Sequence, residues 1–112
     1  MKINWRRIGE IAVLEPVGRF DAHNAPAVAE ALTEARNSAI KNAVVNLGQV
    51  NFMDSTALAT LVQGMKHCRQ VAGDLHLCCL QQPVRIIFEL TRLDKAFDIY
   101  ATEAEALHAL NE

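Results

Sequence analysis

Three shortages in the sequence each exclude a class of protein. The 11 basic side chains are outnumbered by 13 acidic ones, so the chain lacks the basic excess of an electrostatic nucleic-acid binder. No apolar run approaches the roughly 18 to 20 residues of a membrane span, and the first residues lack the apolar stretch of a secretory signal. We therefore expect a cytoplasmic protein that binds neither nucleic acid nor membrane.

The cysteines also lack the pattern of a disulfide scaffold. The chain has 3 cysteines, an odd number, and Cys78 and Cys79 are adjacent, which does not suit an internal disulfide framework with Cys68. We expect all of them to be reduced, partly buried thiols.

The residue groupings of common enzymes are missing as well. The sequence has no glycine-rich phosphate loop and no nucleophile elbow around Ser38 or Ser55. Asp21 or Asp54 could serve in acid–base catalysis, but single carboxylates at strand ends are more often caps or turn formers. We therefore expect no catalytic residue and no cofactor.

A paired metal-ligand motif is absent too. His76 and Cys78 lie on the same side of a predicted strand, and His67 and Cys68 precede them. Cysteines in apolar strands are usually small core residues, and a zinc site needs further paired ligands. The sequence therefore predicts no metal site.

The content of the sequence is that of a globular α/β domain. With 51% hydrophobic residues in 112, the chain can form one core, and we assign residues 1–112 to a single domain. Short apolar segments alternate with helical periodicities in the order ββαβαβαβα. This order predicts a mixed sheet of about four to five strands, antiparallel at first and parallel later, with helices packed on it.

Turn and cap residues delimit these elements. We expect Pro16 and Gly18 to end the second strand, and Gly73 to end the second long helix in a left-handed turn. The predicted strands are 3–8, 11–14, 43–47, 75–80 and 97–100. The predicted helices are 24–39 with Pro26 in its first turn, 58–72, 83–93, and 102–110 with a capping box from Thr102 to Glu105.

The connection at residues 50–58 has unusual content, because apolar Phe52 and Met53 precede three consecutive oxygen-bearing side chains. One interpretation is a helix N-cap, in which Asp54, Ser55 or Thr56 accepts hydrogen bonds from the first free amides of the next helix. The other is a phosphoacceptor: a phosphate on Ser55 would face those amides and the positive end of the helix dipole. Both interpretations remain open at this point.

Three segments carry a resemblance to a known family. They are residues 52–59 (Phe-Met-Asp-Ser-Thr-Ala-Leu-Ala), residues 45–48 (Val-Asn-Leu-Gly) and residues 18–25 (Gly-Arg-Phe-Asp-Ala-His-Asn-Ala). With the later run 93–100 in the same order, they resemble the STAS domain family of anti-sigma factor antagonists. The resemblance covers almost the whole chain and implies a STAS-like sheet with helices packed on it.

The resemblance also implies a function. In that family, a partner that is both serine kinase and anti-sigma factor phosphorylates the serine that aligns with Ser55. The unphosphorylated antagonist binds this partner, phosphorylation ends the complex, and a serine phosphatase resets it. Thr56 aligns with a second hydroxyl residue and Asp21 with an acidic position, and we expect Asp21, Met53, Asp54 and Thr56 to border the docking face around Ser55.

Two other functions are compatible with the same residues. The chain could be a non-phosphorylated STAS scaffold or a transporter-associated interaction module that binds a partner constitutively through the same face. A nucleotide-binding or hydrolytic role is the other, because a helix start is an anion site.

Overall fold

A computed structural model of the chain describes residues 1–111 and contains a mixed sheet of six strands. The strands are β1 (Lys2–Ile8), β2 (Ile11–Phe20), β3 (Asn42–Asn46), β4 (Val50–Met53), β5 (Leu75–Cys78) and β6 (Asp98–Tyr100). Their spatial order is β1-β2-β3-β5-β6, and β4 pairs with the last part of β2. The β1–β2 pair is antiparallel and the other pairs are parallel, as predicted.

Helices cover both faces of this sheet. They are α1 (Ala25–Asn37), α2 (Ser55–Gln70), α3 (Gln82–Leu90) and α4 (Glu103–Leu110), with a short 3-10 turn at Leu93–Lys95. Helices α1, α2 and α3 contribute to the core on one face, and Ala106 of α4 joins a smaller apolar cluster on the other. Side chains of β5 point alternately to these two faces. Leu75 and Leu77 belong to the larger core, whereas Cys78 belongs to the smaller cluster.

The prediction that Pro16 and Gly18 end the second strand is wrong, because β2 continues to Phe20. Pro16 faces Ile3 of β1, and β3 pairs only with residues 11–14, so the missing N–H of Pro16 costs no sheet hydrogen bond. Gly18 has a positive φ of 106°, and the register with β4 shifts between Gly18 and Arg19. Pro16 and Gly18 therefore lie where the strand beside β2 changes from β3 to β4, and not at the end of β2.

Strand β4 is not among the predicted elements, since the sequence pattern indicates only a connection at residues 50–58. The α/β class, the mixed sheet and the alternating order are confirmed, with this strand as the addition. Three of its four residues pair with β2, a contact far away in sequence that local periodicity does not show. The pairing determines where α2 begins, and so where Ser55 lies.

The end of α2 differs from its prediction. The residue in the left-handed conformation is Ala72, with φ of 63°, and not Gly73. A Cβ atom on Gly73 would lie 1.8 Å from the carbonyl oxygen of Lys41, so glycine is needed there for close backbone approach. At α4, Thr102 accepts a hydrogen bond from the backbone N–H of Glu105 at 3.2 Å, which is the Thr102 half of the predicted capping box.

The cysteines are free thiols, as predicted. Burial raises the pKa of the Cys68 thiol to about 11, and burial also raises the pKa of Cys78. These thiols therefore stay protonated at neutral pH. None of the helices within residues 1–111 combines the length and the apolar content that crossing a membrane requires.

Candidate functional site

The pairing of β2 with β4 brings two distant loops together at the carboxyl ends of these strands. Arg19 pairs with Phe52 and Phe20 pairs with Met53, so the chain leaves the two parallel strands at the same place. The loop from β2 to α1 carries Asp21, and the start of α2 carries Asp54 and Ser55. We call the surface formed by Arg19, Asp21, Phe52, Asp54, Ser55 and Thr56 the Ser55 surface.

Asp54 joins the two loops and caps α2. Its Oδ1 accepts a hydrogen bond from the backbone N–H of Ala57 at 2.9 Å, and its Oδ2 accepts one from the N–H of Ala22 at 2.8 Å. These amides, that of Ala57 first, hold the pKa of the Asp54 carboxyl below its ordinary value. Of the residues predicted as possible caps, Asp54 is therefore the one that caps the helix, and it does so as a carboxylate.

Ser55 is the first residue of α2, and its side chain is exposed. Because Asp54 supplies the cap, the start of the helix does not depend on the Ser55 hydroxyl. Thr56 is exposed beside it. The hydroxyl of Ser55 is thus accessible to an enzyme and lies next to the amides of the first turn.

Asp21 lies beside this helix start and is half-buried. Its Oδ1 accepts a hydrogen bond from the backbone N–H of Asn24 at 3.1 Å, and its Oδ2 lies 3.6 Å from Nε of Arg19. Asn24 precedes α1 as predicted, but its side chain donates to the carbonyl oxygen of Arg19 at 2.7 Å and does not cap the helix. Asp21 therefore holds the loop between β2 and α1 through Oδ1, while its Oδ2 faces Arg19.

The expectation that Met53 borders the docking face is wrong for its side chain, which is 2% exposed and lies in the main core. Side chains alternate along a strand, so burying Met53 turns Phe52 outward. The guanidinium carbon of Arg19 lies 3.9 Å above the Phe52 ring, a cation–π contact. Arg19 is not among the predicted site residues, because this contact depends on the β2–β4 pairing.

A groove of about 270 Å³ between α1 and α2 begins next to the Ser55 surface. Thr56, Ala59 and Thr60 line it on the α2 side, and Leu32 and Arg36 line it on the α1 side. Exposed positions of α2 thus continue the Ser55 surface along the helix.

Comparisons with known proteins agree with this geometry. Residues 2–106 match the STAS domain family. The chain is 32% identical over 76 residues to the anti-sigma-B factor antagonist of Staphylococcus aureus, an alignment that covers 68% of this chain and 70% of the relative.

Solved structures show the same fold. An anti-sigma factor antagonist from Mycobacterium paratuberculosis superposes with a TM-score of 0.89 at 24% identity, covering 99% of this chain and 94% of that one. The anti-sigma factor antagonist SpoIIAA in its unphosphorylated form gives a TM-score of 0.85 at 22% identity, covering 98% and 96%. The family match, the relative and the shared fold lead to one conclusion: this chain belongs to the STAS domain family of anti-sigma factor antagonists.

Proposed function

We propose that this protein is an anti-sigma factor antagonist that works by phosphorylation-controlled partner switching. Unphosphorylated, it would bind a serine kinase that is also an anti-sigma factor, and phosphorylation of Ser55 would end that complex. The observation that carries this proposal is the exposed hydroxyl of Ser55 at the first residue of α2, on a helix that Asp54 caps independently.

Charge explains how the modification would act on binding and not on folding. A phosphate adds about −1.5 to −2 charges and three acceptor oxygens, and the free amides and dipole of the α2 start can accommodate them. Asp54 is already a carboxylate with a lowered pKa, and Asp21 lies in the neighbouring loop. The phosphorylated surface would therefore be densely anionic, and a partner would have to remove water from it at a cost of several kcal/mol.

The docking face in this proposal is the Ser55 surface. Asp21, Asp54, Ser55 and Thr56 supply its polar groups, and the Arg19–Phe52 pair supplies apolar contact area beside them. Met53 contributes by holding β4 in the core and not by touching the partner.

The chain itself needs no catalysis or cofactor in this scheme, since the partner transfers the phosphate and a serine phosphatase removes it. Both partners are proteins, and we propose that the exchange takes place in the cytoplasm. Two similar proteins support the proposal: the anti-sigma-B factor antagonist of Staphylococcus aureus, and SpoIIAA, which also has a phosphorylated form.

Incubation with the cognate kinase and ATP, followed by mapping of the phosphate by mass spectrometry, tests the acceptor. Ser38 is a matched control, because it is also an exposed serine, and its Oγ donates to the carbonyl oxygen of Glu34. We expect modification of Ser55, none in Ser55→Ala, and unchanged modification in Ser38→Ala. Phosphate on Ser38 alone, or none in the wild type, would contradict the proposal.

Partner affinity separates this function from that of a constitutive scaffold. The phosphorylated and unphosphorylated chains would be titrated against the same captured partner by calorimetry. A switch requires much weaker binding of the phosphorylated form, whereas equal affinities would favour the scaffold.

A further inference from the structure

A buried histidine lies between two carboxylates at the end of the sheet opposite the Ser55 surface. His76 is in β5, its register partner in β6 is Asp98, and Asp74 precedes His76 by two residues. Register partners lie side by side and residues two apart share a face, so all three side chains meet on the α4 face of the sheet. One ligand atom from each lies within 4.8 Å of the others. We call these residues the His76 cluster.

The orientation of the His76 ring is fixed by α4. Its Nδ1 lies 3.2 Å from the carbonyl oxygen of Ala106, and since a carbonyl can only accept, Nδ1 carries a proton. The ring also packs against Tyr100, with centroids 5.0 Å apart. The side chain is only 6% exposed, so the ring is held with Nε2 directed at the carboxylates.

The Nε2 atom of His76 faces two carboxylate oxygens without an ordinary hydrogen bond to either. Nε2 lies 3.5 Å from Oδ2 of Asp98 and 3.7 Å from Oδ2 of Asp74, both longer than an ordinary hydrogen bond. A neutral imidazole with its proton on Nδ1 presents a lone pair at Nε2, which would face two negatively charged oxygens. A proton on Nε2 or a metal ion among the three atoms would remove this repulsion.

Asp74 is positioned by its other oxygen. Oδ1 accepts hydrogen bonds from Nε of Arg69 at 3.1 Å and from the backbone N–H of Leu75 at 2.8 Å. These contacts leave Oδ2 to face His76, and Arg69 offsets part of the negative charge. A histidine that donates to a backbone carbonyl and a carboxylate held by its own hydrogen bonds are the supports that metal ligands have in proteins.

We propose that Asp74, His76 and Asp98 bind a divalent transition-metal ion of the Zn²⁺ class. In a tetrahedral site with bonds of about 2.1 Å, ligand atoms lie roughly 3.4 Å apart. The two distances from His76, 3.5 and 3.7 Å, are close to this value, and all three ligand atoms lie within 4.8 Å of one another. One imidazole and two carboxylates suit such an ion. The side chain of Asp98 is 56% exposed, so solvent reaches the cluster on that side.

The ion would add a link among three elements that packing, sheet hydrogen bonds and the contact of His76 with Ala106 already join. Asp74 and His76 belong to the β5 segment, Asp98 to β6, and His76 is bonded to α4 through Ala106. An ion that binds only the folded chain stabilises it in proportion to its occupancy. We therefore expect Zn²⁺ to raise the Tm.

The test uses the full chain, stripped with a chelator and titrated with Zn²⁺ by calorimetry at neutral pH. We expect one ion per chain, and in Asp98→Asn at least a tenfold loss of affinity with the fold intact, because Asp98 is exposed. Glu89→Gln, at an exposed carboxylate of α3, is the matched control and should bind as the wild type does. Absence of binding, or equal affinity of Asp98→Asn, would overturn the proposal.

Cobalt substitution identifies the ligands directly. Co²⁺ in the stripped chain should give the visible absorption of a tetrahedral site with nitrogen and oxygen ligands, and Asp98→Asn should weaken it. A thiolate charge-transfer band would show that the cysteines bind the metal instead, and would overturn the assignment. This outcome is independent of whether Ser55 is phosphorylated.

Discussion

The two ends of the sheet hold their carboxylates in different ways. At the Ser55 surface, both oxygens of Asp54 accept hydrogen bonds from backbone amides, and these bonds hold two loops together. In the His76 cluster, Asp74 and Asp98 each direct an oxygen at a buried imidazole beyond hydrogen-bond distance. The difference lies in the partners of each aspartate: Asp54 has backbone amides on both oxygens, whereas Asp74 and Asp98 each leave one oxygen for the ion proposed above.

The largest expected effect is at the Ser55 surface. Ser55→Asp places a charge beside Asp54 and should weaken binding of the proposed kinase partner by about 2 to 4 kcal/mol, or at least about thirtyfold, because the charge must be desolvated. The Tm should change little, since the new carboxylate lies at the helix start where anions are favourable. Calorimetric titration with the partner and thermal unfolding measure the two effects.

Ser38→Asp is the control, since Ser38 is exposed at the far end of α1. It should leave partner affinity unchanged. If both variants lose affinity equally, the Ser55 surface is not the docking face.

Gly73→Ala should damage the other end of the sheet. The added Cβ would lie 1.8 Å from the carbonyl oxygen of Lys41, so the backbone next to Asp74 must move. We expect a loss of about 1 to 3 kcal/mol in the free energy of unfolding, measured by urea denaturation, together with weaker Zn²⁺ binding.

Ala72→Gly is the control that separates the contact with Lys41 from a general sensitivity of the helix end. Ala72 has a φ of 63°, so glycine relieves strain there and should be neutral or slightly stabilising. A similar loss of stability in both variants would mean that the helix end, and not the contact with Lys41, is sensitive.

Asp54→Ala should have a smaller effect, on the stability of the Ser55 end. It removes the cap on Ala57 and the link to Ala22, so the Tm should fall on the order of several degrees. An asparagine side chain at the same position can still cap the helix through its amide oxygen, so Asp54→Asn should lose less. Equal losses would show that charge rather than the cap hydrogen bond matters.

The difference in unfolding free energy between the wild type and Asp54→Asn should depend on pH. Its direction follows from the lowered pKa of Asp54. The folded chain binds a proton at Asp54 less readily than the ordinary pKa of 3.8 implies. The stabilisation of the folded chain by the Asp54 carboxylate is therefore complete above pH 3.8. It is lost as the pH falls through the lower pKa that Asp54 has in the folded chain. Urea denaturation over a pH series should show the advantage of wild type over Asp54→Asn shrinking in acid, and a constant difference would contradict it.

Ala59→Gly should have the smallest effect. Ala59 is exposed within α2, so glycine should cost roughly 0.8 to 1 kcal/mol of helix stability without altering a core contact. Denaturant unfolding measures this value. A larger loss would indicate that the groove between α1 and α2 depends on this methyl group.

Local signals are sufficient for part of the molecule. The periodicity of α2 and the oxygen-bearing residues before it predict both the helix and its cap, because capping involves only neighbours in sequence. The alternating order predicts the α/β class for the same reason. The sequence therefore places Ser55 correctly at a helix start.

Contacts between distant strands are not predictable in the same way. The continuation of β2 past Pro16, the existence of β4 and the burial of Met53 all depend on which strand lies beside which. The His76 cluster depends on the register of β5 with β6, whereas the sequence pattern groups His76 with cysteines. Residue spacing within one strand cannot show this register.

The double hydrogen bond of Asp54 has a consequence for the kinase proposed to act on Ser55. Because Asp54 attaches the first turn of α2 to the loop after β2, Ser55 is presented on a rigid helix end rather than in an extended segment. A kinase that reads an unfolded stretch of sequence would not find its substrate here. An enzyme acting on Ser55 has to recognise folded shape, and a synthetic peptide spanning residues 50–60 should be a poor substrate for it.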